Sequence, residues 1–134
     1  MLEMARLAHV SLEAIQADPV KAAAAYADQY GITCVLKDAA TVVAGRSGSL
    51  YINSSGCPAM AKGGSGDVLA GVIGGLLAQG MEDEQAAALG VFLHGMAGEA
   101  AASALGDRAV LARDLADFLG VFPNDIEKEV SHNE

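Results

Sequence analysis

A run of small, flexible residues, Ala61-Lys62-Gly63-Gly64-Ser65-Gly66-Asp67-Val68-Leu69, leads straight into an apolar, helix-forming segment and places one carboxylate at the junction. Glycine tolerates left-handed backbone conformations and lets a ligand approach the chain closely. The first N–H groups of a helix have no partner within it, and the helix dipole adds partial positive charge there, so such a junction can cradle an anion. Asp67 stands where a phosphate and a reacting hydroxyl would both be in reach. The chemistry implied is phosphoryl transfer. Two other phosphate motifs do not fit. No lysine followed by Ser or Thr comes after the glycines, as a P-loop requires, and after Gly64 and Gly66 the third position of a dinucleotide fingerprint holds Leu69. The plainer alternative is a flexible loop that ends in an ordinary acidic helix cap.

The 134 residues suffice for one domain or part of one. The chain is 52% hydrophobic but only 4% aromatic, so its core must be aliphatic and rich in small residues. A formal charge of −9 argues against nucleic acid or an anionic membrane as partner. A phosphate would therefore be held by backbone N–H groups, a few local cations or a metal, not by a basic face. Cys34 and Cys57 form neither a CxxC pair nor a zinc spacing. Cys34 lies in an apolar run and reads as a small buried hydrophobe; Cys57, in the loop before the glycines, reads as an unreactive thiol. Glu82, Asp83 and Glu84 are a helix-start charge cluster. No His/Cys/Asp constellation has ligand spacing, so no resident metal is expected. The longest apolar stretch, residues 68–78, is too short for a membrane span. Met1-Leu2-Glu3-Met4 lacks the basic and apolar regions of a signal peptide, which makes a cytoplasmic setting the expectation.

These groups need elements to position them. Helical spacing runs from Leu2 to His9, and Ser11 opens a short second helix. Asp18-Pro19 is a strong helix start, the alanine-rich residues 20–30 follow, and Gly31 ends them. Residues 33–37 are apolar at adjacent positions, which predicts a central strand covered on both faces, as in a parallel sheet. Residues 41–44 and 50–53 flank a Gly/Ser turn and read as an antiparallel hairpin beside it. A helix is predicted over 66–79 with Gly80 as its stop. Gly71, Gly74 and Gly75 lower its propensity by about 1 kcal/mol each relative to alanine, a cost that close packing against the sheet or another helix would justify. A long helix starts at Asp83 or Glu84 and ends near Gly106; a short one covers 114–119. Pro123-Asn124 introduces a last turn, and residues 131–134 form a frayed tail. The fold class is α/β, a layered sheet with a hairpin and helices packed on it. So few strands imply either a small independent sheet or part of a larger domain.

Several segments, in this order, resemble the NAD(P)H-hydrate dehydratases, the ADP-dependent branch of the ribokinase-like fold. They are Glu3-Met4-Ala5-Arg6-Leu7, Val35-Leu36-Lys37-Asp38-Ala39-Ala40-Thr41, Gly63 through Leu69, Leu76-Leu77-Ala78-Gln79-Gly80 and His94-Gly95-Met96-Ala97-Gly98. The resemblance covers nearly all of residues 1–134 but only the C-terminal half of the family's domain. It implies that ADP, or ATP in some members, serves as co-substrate with Mg²⁺ arriving on the nucleotide. Hydrated NADH or NADPH is dehydrated, and AMP and phosphate are released. It places the nucleotide against Lys37, Asp38, Ala39, Ala40 and Thr41, with Gly66 beside it and the Gly64, Ser65 and Gly66 turn holding the transferred phosphoryl. It places Asp67 against the hydrated nicotinamide, as the base. The family commonly has glycine where this chain has Asp38 and Ala40, and a helix-capping serine where it has Arg113, a loss of about 1 kcal/mol at that cap. The family's substrate-contacting histidine lies just upstream of the Glu-Met-Ala-Arg-Leu segment, so the N-terminal part of the domain is expected to be absent from this chain.

A rival within the same fold is a kinase of a small alcohol or vitamin precursor. A third possibility is a fragment that acts only as a binding or assembly module, since half a domain would expose apolar faces and favour homo-oligomers. Lys62 is a further candidate for a phosphate, against the plainer role of a solvated loop lysine. His94 is expected to pack or make a helix contact rather than to react.

Overall fold

Local chemistry sets most of the helix boundaries. The computed structural model describes residues 1–120; the expected turn at Pro123-Asn124 and the tail from Ser131 lie outside them. Helix α1 spans Leu2–Ala8 and ends where His9 takes a left-handed conformation, φ 54°. Helix α2 (Leu12–Ala17) begins at Ser11, whose hydroxyl accepts from the Ala14 N–H at 3.2 Å. Helix α3 (Pro19–Tyr30) begins at Asp18, whose carboxylate accepts from the Lys21 N–H at 2.9 Å, and closes at Gly31, φ 62°. Caps of this kind contribute about 1 kcal/mol each.

Three short strands follow: β1 (Cys34–Leu36), β2 (Thr41–Ala44) and β3 (Leu50–Asn53). Their order is β1-β2-β3 and both pairings are antiparallel, with Val43 opposite Val35 on one side and Tyr51 on the other. The hairpin is as expected, but the central place expected for residues 33–37 belongs to β2, and β1 lies at one edge of the described sheet. Connection length explains this. Only four residues, 37–40, join β1 to β2, and so short a link returns the chain antiparallel beside its neighbour, whereas a parallel neighbour needs a crossover of a dozen or more residues. Cover on both faces is nevertheless present. Val42, Ala44, Cys34 and Leu36 pack against α2 and α3 through Ile15, Ala23 and Ala27. Val43 packs on the opposite face with Leu69, Ala87 and Val91.

That second face carries α4 (Ser65–Ala78) and α5 (Asp83–Leu105), with α6 (Ala112–Asp117) against both. A single 3-10 turn at Pro58–Met60 joins a third cluster through Ala59, Ala101, Val110 and Leu115. α6 starts two residues earlier than expected, so Arg113 is inside the helix and not at its cap. Leu111 holds the cap position, and its N–H donates to Asp114 Oδ2 at 2.8 Å. The weakened cap expected at Arg113 therefore does not arise.

The close packing expected of the α4 glycines is made by α5 instead. A methyl group at Gly71, Gly74 or Gly75 would meet nothing within 4 Å among the described residues. One at Gly90 would come 2.6 Å from Ile73 Cγ1, one at Gly95 would strike Ser55, and one at Gly98 would strike Met60. By length and composition α5 could cross a membrane; here it packs against β2, β3, α4 and α6 and carries the buried His94.

Candidate nucleotide and phosphoryl site

Gly64 adopts φ 88°, a left-handed conformation that side chains resist, and begins α4 without any side-chain cap. The first-turn donors are thus left for another partner. The Ser65 N–H donates to the Lys62 carbonyl at 3.3 Å, while those of Gly66 and Asp67 have no partner among the described residues. A methyl group at Gly66 would meet nothing within 4 Å, so the backbone there is uncrowded. Asp67 is exposed in the same turn. Two residues along a helix rotate a side chain by about 200°, so Asp67 faces away from Leu69, the residue through which α4 meets the core.

A cleft of about 480 Å³ adjoins this turn, lined by Lys37, Asp38, Ala39 and Thr41 from the β1–β2 connection. Asn53 at the end of β3 and most of the loop from Ser55 to Ala61 also line it, as do Leu69, Val91, His94 and Gly95 from the two helices. Ala40 is exposed and does not line the cleft, and neither do Gly64, Ser65, Gly66 or Asp67. The two segments singled out in the sequence therefore adjoin through Leu69 and His94 and do not share one cavity. The Thr41 hydroxyl donates to the Asp38 carbonyl at 3.4 Å, a long bond that holds the connection in a turn.

The loop after β3 had no chemical role in the sequence pattern, yet it forms much of the cleft. Asn53 Nδ2 donates to the Ser55 carbonyl and Ser55 Oγ to Asn53 Oδ1, both at 2.9 Å. Asn, Ser, Gly and Pro clustered after a strand mark a turn, and that was the available signal. Glu99 accepts from the Gly56 N–H at 2.6 Å, and Cys57 Sγ donates to the Gly98 carbonyl at 3.4 Å. Cys34 is buried, which pushes its thiol above the ordinary range, in keeping with a packing role.

His94 is only 3% exposed. Its Nε2 lies 2.9 Å from the Ser65 carbonyl and 3.4 Å from Ser65 Oγ. A carbonyl can only accept, so Nε2 carries the proton. Burial holds the imidazole below its ordinary value; the Ser65 carbonyl opposes that shift, and the charge of Lys37 adds to it. The expected helix contact is thus a specific hydrogen bond to the glycine turn. Lys62 is half-buried, and two of its three Nζ donors are used within the chain: they go to the Arg108 carbonyl at 3.2 Å and to the Val110 carbonyl. It ties the glycine loop to the segment before α6.

The acids at the start of α5 clasp the hairpin. Glu84 accepts from the Ser47 N–H at 2.9 Å, from Ser47 Oγ at 2.8 Å and from Ser49 Oγ at 2.6 Å. These bonds, that of Ser49 foremost, hold its carboxyl below the usual range. Asp83 accepts from Thr33 Oγ1 at 3.0 Å and lies 3.6 Å from Arg46 Nε. Among the described residues no group of three His, Cys, Asp or Glu side chains could hold a metal ion.

Comparison with known proteins identifies the family. The sequence profile of the NAD(P)H-hydrate dehydratase family matches residues 1–120. The bifunctional NAD(P)H-hydrate repair enzyme Nnr of Moorella thermoacetica is 48% identical over 96% of this chain and 24% of its own length. The ADP-dependent (S)-NAD(P)H-hydrate dehydratase of Neisseria meningitidis serogroup B is 39% identical over 96% of this chain and 44% of its own. The crystal structure of the ADP/ATP-dependent NAD(P)H-hydrate dehydratase from Bacillus subtilis, co-crystallised with ATP/Mg²⁺, superposes with a TM-score of 0.82. It is 33% identical, with 87% of this chain and 42% of that one covered. The chain thus spans about a quarter to under half the length of these relatives. Its sequence and its fold place it in the NAD(P)H-hydrate dehydratase family.

Proposed function

We propose that residues 1–134 form the C-terminal, nucleotide-side part of a single ribokinase-like domain that dehydrates hydrated NADH or NADPH at the expense of ADP or ATP. The observation that carries this is the start of α4: two N–H groups without a partner among the described residues, on Gly66 and Asp67, share one turn with the exposed Asp67 carboxylate. The nucleotide would lie in the cleft along Lys37, Asp38, Ala39 and Thr41, with Lys37 drawing the phosphates, and Ala40 would contribute only at its rim. Its terminal phosphoryl group would meet the free N–H groups, where the helix dipole favours negative charge. The hydrated nicotinamide would approach Asp67 from the side facing away from Leu69.

The chemistry follows from leaving groups. Hydroxide leaves poorly, phosphate well. Asp67 takes the proton of the substrate hydroxyl as that oxygen attacks the terminal phosphorus of ADP; the bond to AMP breaks and AMP departs. The Gly66 and Asp67 N–H groups stabilise charge that grows on the phosphoryl oxygens in the transition state. The carbon–oxygen bond of the new phosphate ester then breaks, phosphate leaves with the electron pair, and loss of the adjacent C–H proton restores the ring double bond. Any Mg²⁺ would neutralise phosphate charge as part of the bound nucleotide, since the described residues provide no cage for it.

The test is to incubate the full-length protein with hydrated NADH and ADP and to follow recovery of reduced-nicotinamide absorbance. Recovery that depends on ADP supports the proposal. No recovery, together with phosphorylation of a vitamin alcohol by ATP, would favour a kinase of the same fold. The chain alone should self-associate, because Leu50, Tyr51 and Ile52 of β3 are 48%, 44% and 62% exposed and such an edge demands cover. Light scattering decides this.

A further inference from the structure

Helix α4 must present bare N–H groups to a phosphate, so it cannot use a capping side chain, which would occupy them. It also begins in Gly63-Gly64 and contains Gly66, Gly71, Gly74 and Gly75, each of which weakens it. No neighbouring side chain therefore holds its first turn in place, and its local hold is limited to backbone bonds such as Ser65 N–H to the Lys62 carbonyl and Val68 N–H to the Gly64 carbonyl. A side-chain hold comes from elsewhere. Ser65 is wholly buried, and the imidazole of His94, 29 residues away on α5, donates from Nε2 to its carbonyl at 2.9 Å. A helix carbonyl has a second lone pair beyond the one that serves its own ladder, so the bond adds to the helix without displacing any part of it.

We propose that His94 is a positioning residue: its hydrogen bond to the Ser65 carbonyl takes the place of a helix cap and fixes the turn that carries the Gly66 and Asp67 N–H groups and the Asp67 carboxylate. His94 touches no reacting atom in this role. It acts through Ser65, and the role rests on the dehydratase function proposed above for that turn. The bond lies behind the turn, on the α5 side, so it anchors the backbone while leaving the donors free. A neutral imidazole suits the task, because it brings a donor into a buried place without bringing a charge. The neighbouring Gly95 and Gly98 serve the same arrangement, since they let the loop of Ser55 and Met60 lie directly on α5 beside His94.

The experiment compares His94→Leu, His94→Asn and His94→Gln in the full-length protein. The Gln side-chain amide reaches about as far as Nε2, whereas the Asn amide is one methylene shorter. His94→Leu and His94→Asn should lower kcat by roughly 10²-fold, the size expected when a reacting group is misplaced by about 1 Å. His94→Gln should restore most of the loss. Amide exchange is read in parallel at Val68, whose N–H donates to the Gly64 carbonyl at 3.1 Å, and at Leu69. It should quicken in the first two variants and recover in the third. Unchanged exchange in His94→Leu, or a His94→Gln protein as impaired as His94→Asn, would overturn the proposal. Exchange that changes as expected in a protein without dehydratase activity would support the tether and refute the assigned reaction, so the two failures are separable.

Discussion

Replacement of Gly95 by alanine tests how packing shapes the cleft. In the interior of an isolated helix the change would stabilise by about 1 kcal/mol, because alanine loses less backbone entropy on folding. In this structure the new methyl group would strike Ser55, with the Ser55 carbonyl carbon 2.8 Å away and its Cβ 2.9 Å away. A side-chain rotation cannot move a backbone atom, so either α5 or the loop must retreat. Overpacking of this kind costs typically about 1–3 kcal/mol, and a clash with backbone belongs in the upper part of that range. The net expectation is a protein about 1–2 kcal/mol less stable. The retreating loop also carries the residues from Asn53 to Ala61 that line the cleft, and the Ser55 hydroxyl that bonds both Asn53 and the Phe92 carbonyl. Nucleotide affinity should therefore fall together with stability. Urea unfolding and nucleotide titration of the same variant measure both. Equal or greater stability with unaltered nucleotide affinity would refute the reasoning, since it would mean that the loop yields freely and does not shape the site.

Asp67→Asn keeps the size of the side chain and removes the base, so turnover should drop by roughly 10²–10⁴-fold while nucleotide binding persists; near-normal turnover would leave Asp67 as an ordinary first-turn acid. Lys62→Met should destabilise the protein by about 2 kcal/mol through loss of charge-assisted bonds to the Arg108 and Val110 carbonyls, with little change in nucleotide affinity; a large loss of affinity at normal stability would restore Lys62 to the phosphate site. Glu84 makes stability depend on pH in a definite direction. Its carboxyl lies below the ordinary value of 4.5 in the folded chain, so its contribution is complete above that value and disappears as pH falls through the lower folded value. Glu84→Gln should flatten that acid limb of thermal melts and leave the curve above pH 5 parallel to the unmodified protein's.

Much of this protein was written in local sequence. Ser11, Asp18-Pro19 and Gly31 mark helix ends because capping depends on atoms three or four residues apart, and the order of α-helices, strands and hairpin followed from the same short-range signals. The glycine turn was legible for the same reason, since an uncapped helix start, whose Gly66 and Asp67 N–H groups have no partner among the described residues, is contained within a few residues. The segment from Lys37 to Thr41 was singled out only through family resemblance; all of it except Ala40 lines the cleft. Long-range pairing was not legible. Apolar residues at adjacent positions show that 33–37 is covered on both faces but not which strands flank it, and the four-residue link to β2 made it an antiparallel edge. Glycine composition alone could not show that α4's bare face meets nothing among the described residues while α5's glycines receive the loop of Ser55 and Met60. Lys62 read as a phosphate contact or a solvated loop lysine and Glu84 as part of a helix-start charge cluster, because a charge shows its partners only once they are fixed in space. Their partners, at Arg108 and Val110 and at Ser47 and Ser49, are dozens of residues away in sequence. His94 is the same case at the site itself: a lone histidine in an apolar helix has no local signature, and only the packing of α5 against the start of α4 brings its Nε2 to the Ser65 carbonyl.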